Sequence, residues 1–204
     1  MAKLDVLLAG VGGQGSLTAS RILGEAAARA GQRVLVGEIH GMAQRGGVVE
    51  STVRIGEKVY GPIIKNRGAD VLLGFEPVET VRALGRAGPD TLVIVNTRPI
   101  VPPSISLKNE NYPEVETLML RVRQHSTRVV ELDAGRMAQD AGSAQAVNTI
   151  LLGVLSACVD MPFEVSILQQ VIEESVPKRF IEANQQAFAA GRAVGQKARQ
   201  AWSS

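Results

Sequence analysis

Apolar and polar positions along the chain follow two periods in turn, which is typical of the α/β class of proteins. Residues 4–9 form a short, nearly uncharged run of branched side chains, and they predict a strand buried on both faces. From Ser16 onward apolar residues recur at steps of three and four, which predicts an amphipathic helix. The loop Gly10-Val11-Gly12-Gly13-Gln14-Gly15 lies between them. A strand that enters a helix through Gly-x-Gly-x-x-Gly predicts the phosphate-binding turn of a doubly wound fold.

The rest of the chain continues this alternation. Strands are predicted at residues 34–39, 48–55, 71–75, 91–95 and 128–132, and helices at residues 77–84, 113–124, 137–141, 150–159, 163–174 and 178–202. We therefore expect one domain over residues 1–204, a doubly wound, Rossmann-like fold with a mostly parallel sheet and a helical C-terminal third. The last helix, at residues 178–202, is a candidate contact for a partner. The proline-containing stretch after Asn96 has no regular pattern and predicts a surface loop or a partner-facing arm.

Two segments carry a more specific expectation about burial. Residues 48–55 alternate between an apolar face and a face that holds Glu50, Thr52 and Arg54, which predicts a half-exposed strand whose polar face meets solvent or a partner. Residues 150–159 are apolar almost all round, so we expect this helix to be buried within the domain or under another subunit.

Composition narrows the class of function. Aromatic residues make up only 3% of the 204 residues, and the net charge is +2 without a dense basic cluster, so nucleic-acid binding is not supported. Cys158 is the single cysteine, and one thiol holds neither an iron–sulfur cluster nor an internal disulfide. No apolar run is long enough to cross a bilayer, and the N-terminal run predicts a first strand rather than a signal peptide. The expected compartment is the cytoplasm.

Two glycine-bearing blocks are candidate anion sites. The loop at residues 10–15 offers backbone N–H groups at the start of a helix, which suit a phosphate or a carboxylate. Arg45 beside Gly46 and Gly47 would set a guanidinium fork next to exposed amides. Each block also has a plainer interpretation, in which the loop only makes the turn and Arg45 is a solvated residue. The candidate binding residues are Gly10, Gly12, Gly13, Gln14, Gly15, Glu38, Gln44, Arg45, Gly46 and Gly47.

Glu38 and His40 are candidates for a ribose contact and for acid–base chemistry, respectively. Glu38 stands about 20 residues past the loop, where a dinucleotide-binding fold places the acid that holds a ribose hydroxyl. Because a histidine side chain can change its charge near neutral pH, His40 is a candidate acid, base or hydrogen-bond donor, with a structural role as the alternative. The sequence shows no nucleophile–base grouping, no paired carboxylates and no metal-ligand spacing.

Several of these residues also carry a family resemblance. The loop at residues 10–15 with its helix, followed by Arg45-Gly46-Gly47 before an alternating strand, resembles the gamma-type domain of the 2-oxoacid:ferredoxin oxidoreductases. Within that family, the sequence from His40 to Gly47 is similar to the corresponding segment of the beta subunits of the indolepyruvate:ferredoxin oxidoreductases. Further matching segments are Ala69-Asp70, Gly74-Phe75-Glu76-Pro77, Asn148, Leu151-Leu152-Gly153, Asn184, Ala187-Phe188 and Gly191. The resemblance extends from about residue 4 to residue 191.

The resemblance implies a role within a larger enzyme. Such enzymes oxidatively decarboxylate a 2-oxoacid, here indolepyruvate or another aryl-pyruvate, to acyl-coenzyme A, carbon dioxide and reduced ferredoxin. Thiamine diphosphate and iron–sulfur clusters would lie on a larger catalytic partner subunit, coenzyme A is a candidate co-substrate contact of this domain, and the isolated chain would be inactive. Ferredoxin would interact with the assembled complex.

Two other functions are compatible with the sequence. The glycine loop with Glu38 alone would suit a stand-alone NAD(P)-binding dehydrogenase, but 204 residues leave little room for its substrate domain. A non-catalytic interaction subunit of another complex is the third possibility.

Overall fold

The structure, a computed structural model, describes residues 3–40, 47–100 and 111–203, with the backbone alone at His40. Its strands are β1 (Leu4–Val11), β2 (Val34–His40), β3 (Val48–Ile55), β4 (Ala69–Gly74), β5 (Ala87–Asn96) and β6 (Arg128–Leu132). Its α-helices are α1 (Ser16–Arg29), α2 (Pro77–Ala83), α3 (Val115–His125), α4 (Ala134–Asp140), α5 (Val147–Cys158), α6 (Val165–Glu174) and α7 (Ile181–Trp202). Two 3-10 turns, Leu84–Arg86 and Lys178–Phe180, lead into β5 and α7.

The described strands form one six-stranded sheet in the order β2-β3-β1-β4-β5-β6. Strands β1, β4, β5 and β6 are parallel, whereas β3 runs antiparallel to both of its neighbours, β1 and β2. The predicted α/β class and mostly parallel sheet are confirmed. One feature departs from a Rossmann unit, in which the first two strands lie side by side: β3 pairs with β1 along its whole length and displaces β2 to the sheet edge.

Two apolar layers cover the faces of the sheet. On one face the branched side chains of β1, β3, β4 and β5 pack against α1, α5, α6 and α7. On the other face Leu7, Leu72 and Val93 pack against Leu118, Met119 and Val122 of α3. Helix α5 is buried by its own chain, which decides between the two positions expected for residues 150–159.

Helices α5 and α7 approach each other at three glycines. A Cβ atom at Gly191 would lie 2.1 Å from the carbonyl oxygen of Ile150, and one at Gly153 would lie 2.5 Å from that of Phe188. A Cβ at Gly195 would lie 2.6 Å from the carbonyl oxygen of Val154. Because these neighbours are backbone atoms, the two helix backbones lie too close for any side chain at these positions. The buried residues of α7 include Asn184, Ala187 and Phe188.

The expectation that the polar face of β3 meets solvent or a partner is wrong for Thr52 and Arg54. Arg54 donates to both carboxylate oxygens of Asp5 on β1, at 2.9 and 3.0 Å, and to the carbonyl oxygens of Gly61 and Ile63. Thr52 donates to the carbonyl oxygen of Pro62 at 2.7 Å. The segment after β3 folds back over this face, so the polar groups pair within the chain.

The remaining predicted elements are present with shifted ends. The helix expected from residue 137 begins at Ala134, because Asp133 accepts a hydrogen bond from the backbone N–H of Arg136 and caps it. The helix expected from residue 178 begins at Ile181, after a 3-10 turn. None of the described helices combines the length and the apolar character needed to cross a membrane.

Candidate anion-binding cleft

A cleft of about 760 Å³ opens at the edge of the sheet where β1 ends in the glycine loop. Its described walls come from that loop, the end of β5, α4, the start of α5 and the turn before α7. Arg98 is the only charged side chain among the described lining residues, and none of them is acidic. In open α/β sheets, ligands bind outside the carboxyl ends of the parallel strands. The position and the charge of this cleft therefore suit an anionic ligand.

The glycine loop has a defined backbone shape. The N–H of Gly12 donates to the carbonyl oxygen of Gly47 at 2.9 Å, and the N–H of Gln14 donates to that of Val11 at 3.2 Å. Gly13 and Gly15 have φ angles of 99° and 85°, in the left-handed region that favours glycine. A Cβ at Gly13 would meet no heavy atom within 4 Å. Because Gly13 lines the cleft, a side chain there would occupy space that a ligand needs.

A chain of side-chain hydrogen bonds supports the loop from below. Gln14 Oε1 accepts from the N–H of Val11 at 2.6 Å, and Gln14 Nε2 donates to the carbonyl oxygen of Phe75 at 3.2 Å. Asn96 Nδ2 donates to the same oxygen at 3.1 Å. Asn96 Oδ1 in turn accepts from the backbone N–H of Arg98 at 3.3 Å and of Ala134 at 3.0 Å. Buried Asn96 therefore joins the ends of β4 and β5 to the first residue of α4.

Arg98 lines the cleft and packs against the first turn of α4. A Cβ at Gly135 would lie 2.6 Å from Arg98 Cδ and 3.0 Å from Arg98 Nη1. The guanidinium therefore lies against the position where any other residue would carry a side chain. No acidic partner of Arg98 is found among the described residues.

Two asparagines, Asn148 and Asn184, line the cleft beside the starts of α5 and α7. Asn148, at the start of α5, lies 3.6 Å from the Cβ position of Gly15, and its Oδ1 accepts from the N–H of Thr149 at 2.9 Å. The hydroxyl of Thr149 donates to Asn184 Oδ1 at 2.6 Å, and Asn184 Nδ2 donates to the carbonyl oxygen of Phe180. This network ties the starts of α5 and α7 together at the rim of the cleft.

Two buried carboxylates follow β4 but do not line the cleft. Glu76 accepts from the N–H of Glu79, which caps α2, and also from the hydroxyl of Tyr112. Burial and the Glu76 carboxylate raise the pKa of Tyr112. Burial also raises the pKa of Glu79, which accepts from Arg82 at 2.7 Å through Oε1 while its Oε2 has no hydrogen-bond partner. These groups anchor α2 to the segment before α3.

The structure brings together part of the predicted binding set. Four of the predicted residues line the cleft: Gly12, Gly13, Gln14 and Gly15. Gly10 lies inside β1, where a Cβ would come within 2.7 Å of Gln14 Oε1, so this glycine makes room for the supporting side chain. Gly47 meets the loop through its carbonyl oxygen.

The other predicted residues lie elsewhere. Glu38 is on edge strand β2 with Oε1 3.8 Å from Arg21 Nε, and it is not among the cleft-lining residues. A ribose contact by Glu38 would require β2 to lie beside β1, but β3 lies between them. His40 ends β2 opposite Val49, and its side chain lies outside the described residues. Gln44, Arg45 and Gly46 also lie outside them, so their role in anion binding stays a prediction.

Sequence reasoning missed Asn96 and Arg98 as site residues. The available signal was the position of Asn96 directly after a buried strand, at the edge of the sheet where ligands bind. Nothing near Arg98 in the sequence distinguishes it from the other arginines, because the glycine that makes room for it is Gly135, in the helix after β6.

Fold and cleft together define an α/β domain with an open cleft at the glycine-loop edge of its sheet, and comparison with known proteins gives its family. The model of the pyruvate ferredoxin/flavodoxin oxidoreductase family matches residues 5–194, and the chain belongs to this family. It is 41% identical to indolepyruvate oxidoreductase subunit IorB of Archaeoglobus fulgidus, over 93% of this chain and 94% of that one. The resemblance predicted from the sequence is confirmed.

Solved structures share the fold. The gamma subunit of a keto/oxoacid ferredoxin oxidoreductase from Geobacter sulfurreducens superposes with a TM-score of 0.68 at 20% identity, over 97% of this chain and 99% of that one. A 2-oxoglutarate:ferredoxin oxidoreductase from Magnetococcus marinus, with 2-oxoglutarate, coenzyme A and succinyl-CoA bound, superposes with a TM-score of 0.72 at 20% identity. The match covers 97% of this chain and 32% of that longer chain. The fold therefore occurs both as a separate chain and as one part of a larger one.

The donor groups of this chain do not suit an iron–sulfur cluster. Cys158 is buried in α5, where its thiol lies 3.6 Å from the carbonyl oxygen of Gly195, and burial raises the pKa of this thiol to about 11. Among the described residues, no three His, Cys, Asp or Glu side chains are grouped closely enough to hold a metal ion. The cleft, in contrast, lies within the size range of ligand sites, about 300–1,000 Å³.

Proposed function

We propose that this chain is the subunit of an indolepyruvate- or aryl-pyruvate-oxidising 2-oxoacid:ferredoxin oxidoreductase that binds the anionic part of coenzyme A. The cleft is the main support for this proposal, because the glycine loop and Arg98 face a space with no acidic group among its described walls. Family membership supports the reaction class, and the name of the relative supports the substrate. Thiamine diphosphate and iron–sulfur clusters would be held by a catalytic partner subunit in the cytoplasm, with ferredoxin as the electron acceptor of the complex.

The cleft has the physical features that phosphate binding needs. Backbone N–H groups at the start of α1 carry the positive end of the helix dipole, and the left-handed glycines let an anion approach them closely. The other described walls are formed by neutral amide and hydroxyl groups and by apolar side chains such as Val147 and Phe180, so a phosphate would not face a like charge among the described residues. In this proposal the chain binds and orients the acyl acceptor, while bond cleavage takes place on the partner.

A matched pair of substitutions tests whether the loop binds a ligand or only makes a turn. Gly13 and Gly31 both have positive φ angles, and a Cβ at either would meet no heavy atom within 4 Å. Alanine therefore costs similar backbone strain at both positions, about 1–2 kcal/mol, but only Gly13 lines the cleft. We expect Gly13→Ala to raise the KM for coenzyme A of the reconstituted complex and Gly31→Ala to leave it unchanged.

Equal KM values in the two variants, with assembly intact by gel filtration, would make the loop a turn only. The substrate is tested in the same complex by comparing kcat/KM for indolepyruvate, pyruvate and 2-oxoglutarate. A preference for pyruvate or 2-oxoglutarate would remove the aryl-pyruvate assignment and keep the family.

A further inference from the structure

We propose that Arg98 is the second anion-binding residue of the cleft and that Gly135 and Asn96 position it. A ligand would place one phosphate or carboxylate on the glycine loop and a second oxyanion on the Arg98 guanidinium. The inference rests on the proposed function only in that the cleft binds an anion. Nothing in the relatives' names assigns this arginine a role.

The charge of the cleft favours Arg98 as an anion-binding residue. Arg98 supplies the only formal charge among the described lining residues, and it has no acidic partner in the described part of the chain. Asp133 is the nearby carboxylate, with Oδ1 3.4 Å from the Gly135 Cβ position that lies 3.0 Å from Arg98 Nη1, but it does not line the cleft. On the cleft side a guanidinium can donate two parallel hydrogen bonds to a phosphate or a carboxylate.

Hydrogen bonds hold the backbone around Arg98 in place. Asn96, which is buried, accepts from the N–H of Arg98 and from that of Ala134 with the same oxygen. Its Nδ2 shares the Phe75 carbonyl oxygen with Gln14 of the glycine loop. The glycine loop and the backbone that leads to Arg98 are therefore linked through the Phe75 carbonyl oxygen. This link limits changes in the distance between the loop and the backbone of Arg98.

Gly135 leaves the space that the Arg98 side chain occupies. A Cβ at Gly135 would overlap Arg98 Cδ and Nη1, which belong to the flexible part of that side chain. An alanine at this position therefore displaces the guanidinium rather than the backbone. Gly135→Ala becomes a way to move Arg98 without removing its charge, and Asn96 and Gly135 are positioning residues.

The experiment is calorimetric titration of the full chain with inorganic pyrophosphate, and in a second series with malonate, which separates phosphate from carboxylate recognition. We expect Arg98→Gln to weaken binding of the preferred anion at least about tenfold, as loss of a charge-assisted contact does. Arg98→Lys retains the charge but loses the planar fork, and should recover only part of the affinity. Gly135→Ala should weaken binding in the same direction.

Gly85→Ala is the matched control, because a Cβ at Gly85 meets no heavy atom within 4 Å and Gly85 does not line the cleft. It should bind both anions as the wild type does. Affinity that is unchanged in Arg98→Gln, or in folded Gly135→Ala, overturns the proposal, as does a wild-type chain that binds neither anion.

The outcome is separable from that of the proposed function. Arg98 variants that lose pyrophosphate binding while the complex shows no dependence on this chain for its coenzyme A kinetics would retain the anion site and refute the coenzyme A role. A KM for coenzyme A that responds to Gly13→Ala and not to Arg98→Gln would retain the role and refute the second binding residue.

Discussion

Gln14 and Asn96 donate their side-chain amides to the same carbonyl oxygen, that of Phe75, at 3.2 and 3.1 Å. Gln14 belongs to the glycine loop after β1, and Asn96 is the last residue of β5. Strand β4, which ends just before Phe75, lies between these two strands in the sheet. The shared acceptor therefore joins the ends of three adjacent strands beneath the cleft.

We expect the two amides to be energetically coupled. Asn96→Ala should lower the free energy of unfolding by about 1–3 kcal/mol, because it leaves the buried N–H of Ala134 without its acceptor. Gln14→Ala should cost less, since Gln14 faces the open cleft. The double variant should lose more than the sum, because the Phe75 oxygen retains one donor in each single variant and loses both in the double variant.

Urea unfolding of the four proteins measures this coupling. Additivity to within about 0.3–0.5 kcal/mol would show that the shared carbonyl contributes no coupling.

The α5–α7 contact should not tolerate alanine at Gly191. Helix propensity alone would favour this substitution by about 1 kcal/mol. The new Cβ would however lie 2.1 Å from the carbonyl oxygen of Ile150, and only separation of the two helices relieves that overlap. We expect the free energy of unfolding to fall by about 1–3 kcal/mol, with Gly85→Ala nearly neutral in the same urea series. A stabilised Gly191→Ala would mean that the helices are not in this close contact.

Glu79 should make the stability of the protein depend on pH. Burial raises its folded-state pKa above the ordinary value of 4.5, so the native state binds a proton more tightly than the unfolded state. The stability that protonated Glu79 contributes is present in full below about pH 4.5 and is lost as the pH rises through the raised value. Glu79→Gln should remove this loss, so the free energy of unfolding of the variant should rise relative to that of the wild type as the pH increases from 4 to 7.

Urea unfolding at a series of pH values measures the difference. Asp70 has a raised pKa for the same reason, so some decline should remain in Glu79→Gln and disappear when Asp70→Asn is added. A constant gap between wild type and Glu79→Gln across this range would contradict the prediction.

The isolated chain should be colourless and should not oxidise indolepyruvate with an artificial electron acceptor. Cys158 is the only thiol, and its burial together with a pKa of about 11 keeps it protonated and inaccessible. The native chain should therefore react with a thiol reagent at pH 8 far more slowly than the urea-unfolded chain. Visible cluster absorption, or turnover without a partner, would contradict the assignment of the redox chemistry to another subunit.

The sequence by itself determined the elements whose signals are local. The change from a buried strand to a period of 3.6 residues, with glycines between, specified β1, the loop and α1, because each signal lies within the element it predicts. The family, too, followed from short motifs. In the folded chain several of them meet, as when Gly12 bonds Gly47 and Phe75 accepts from Gln14.

Only the tertiary structure decided the strand order and the composition of the site. Antiparallel pairing of β3 with β1 moved Glu38 away from the glycine loop and placed Arg54 on Asp5, which is 49 residues away in sequence. The position of Arg98 depends on its hydrogen bond to Asn96 and on the space that glycine leaves at position 135. Such pairings depend on free energies of contact between segments distant in the chain, and no periodicity within a segment records them.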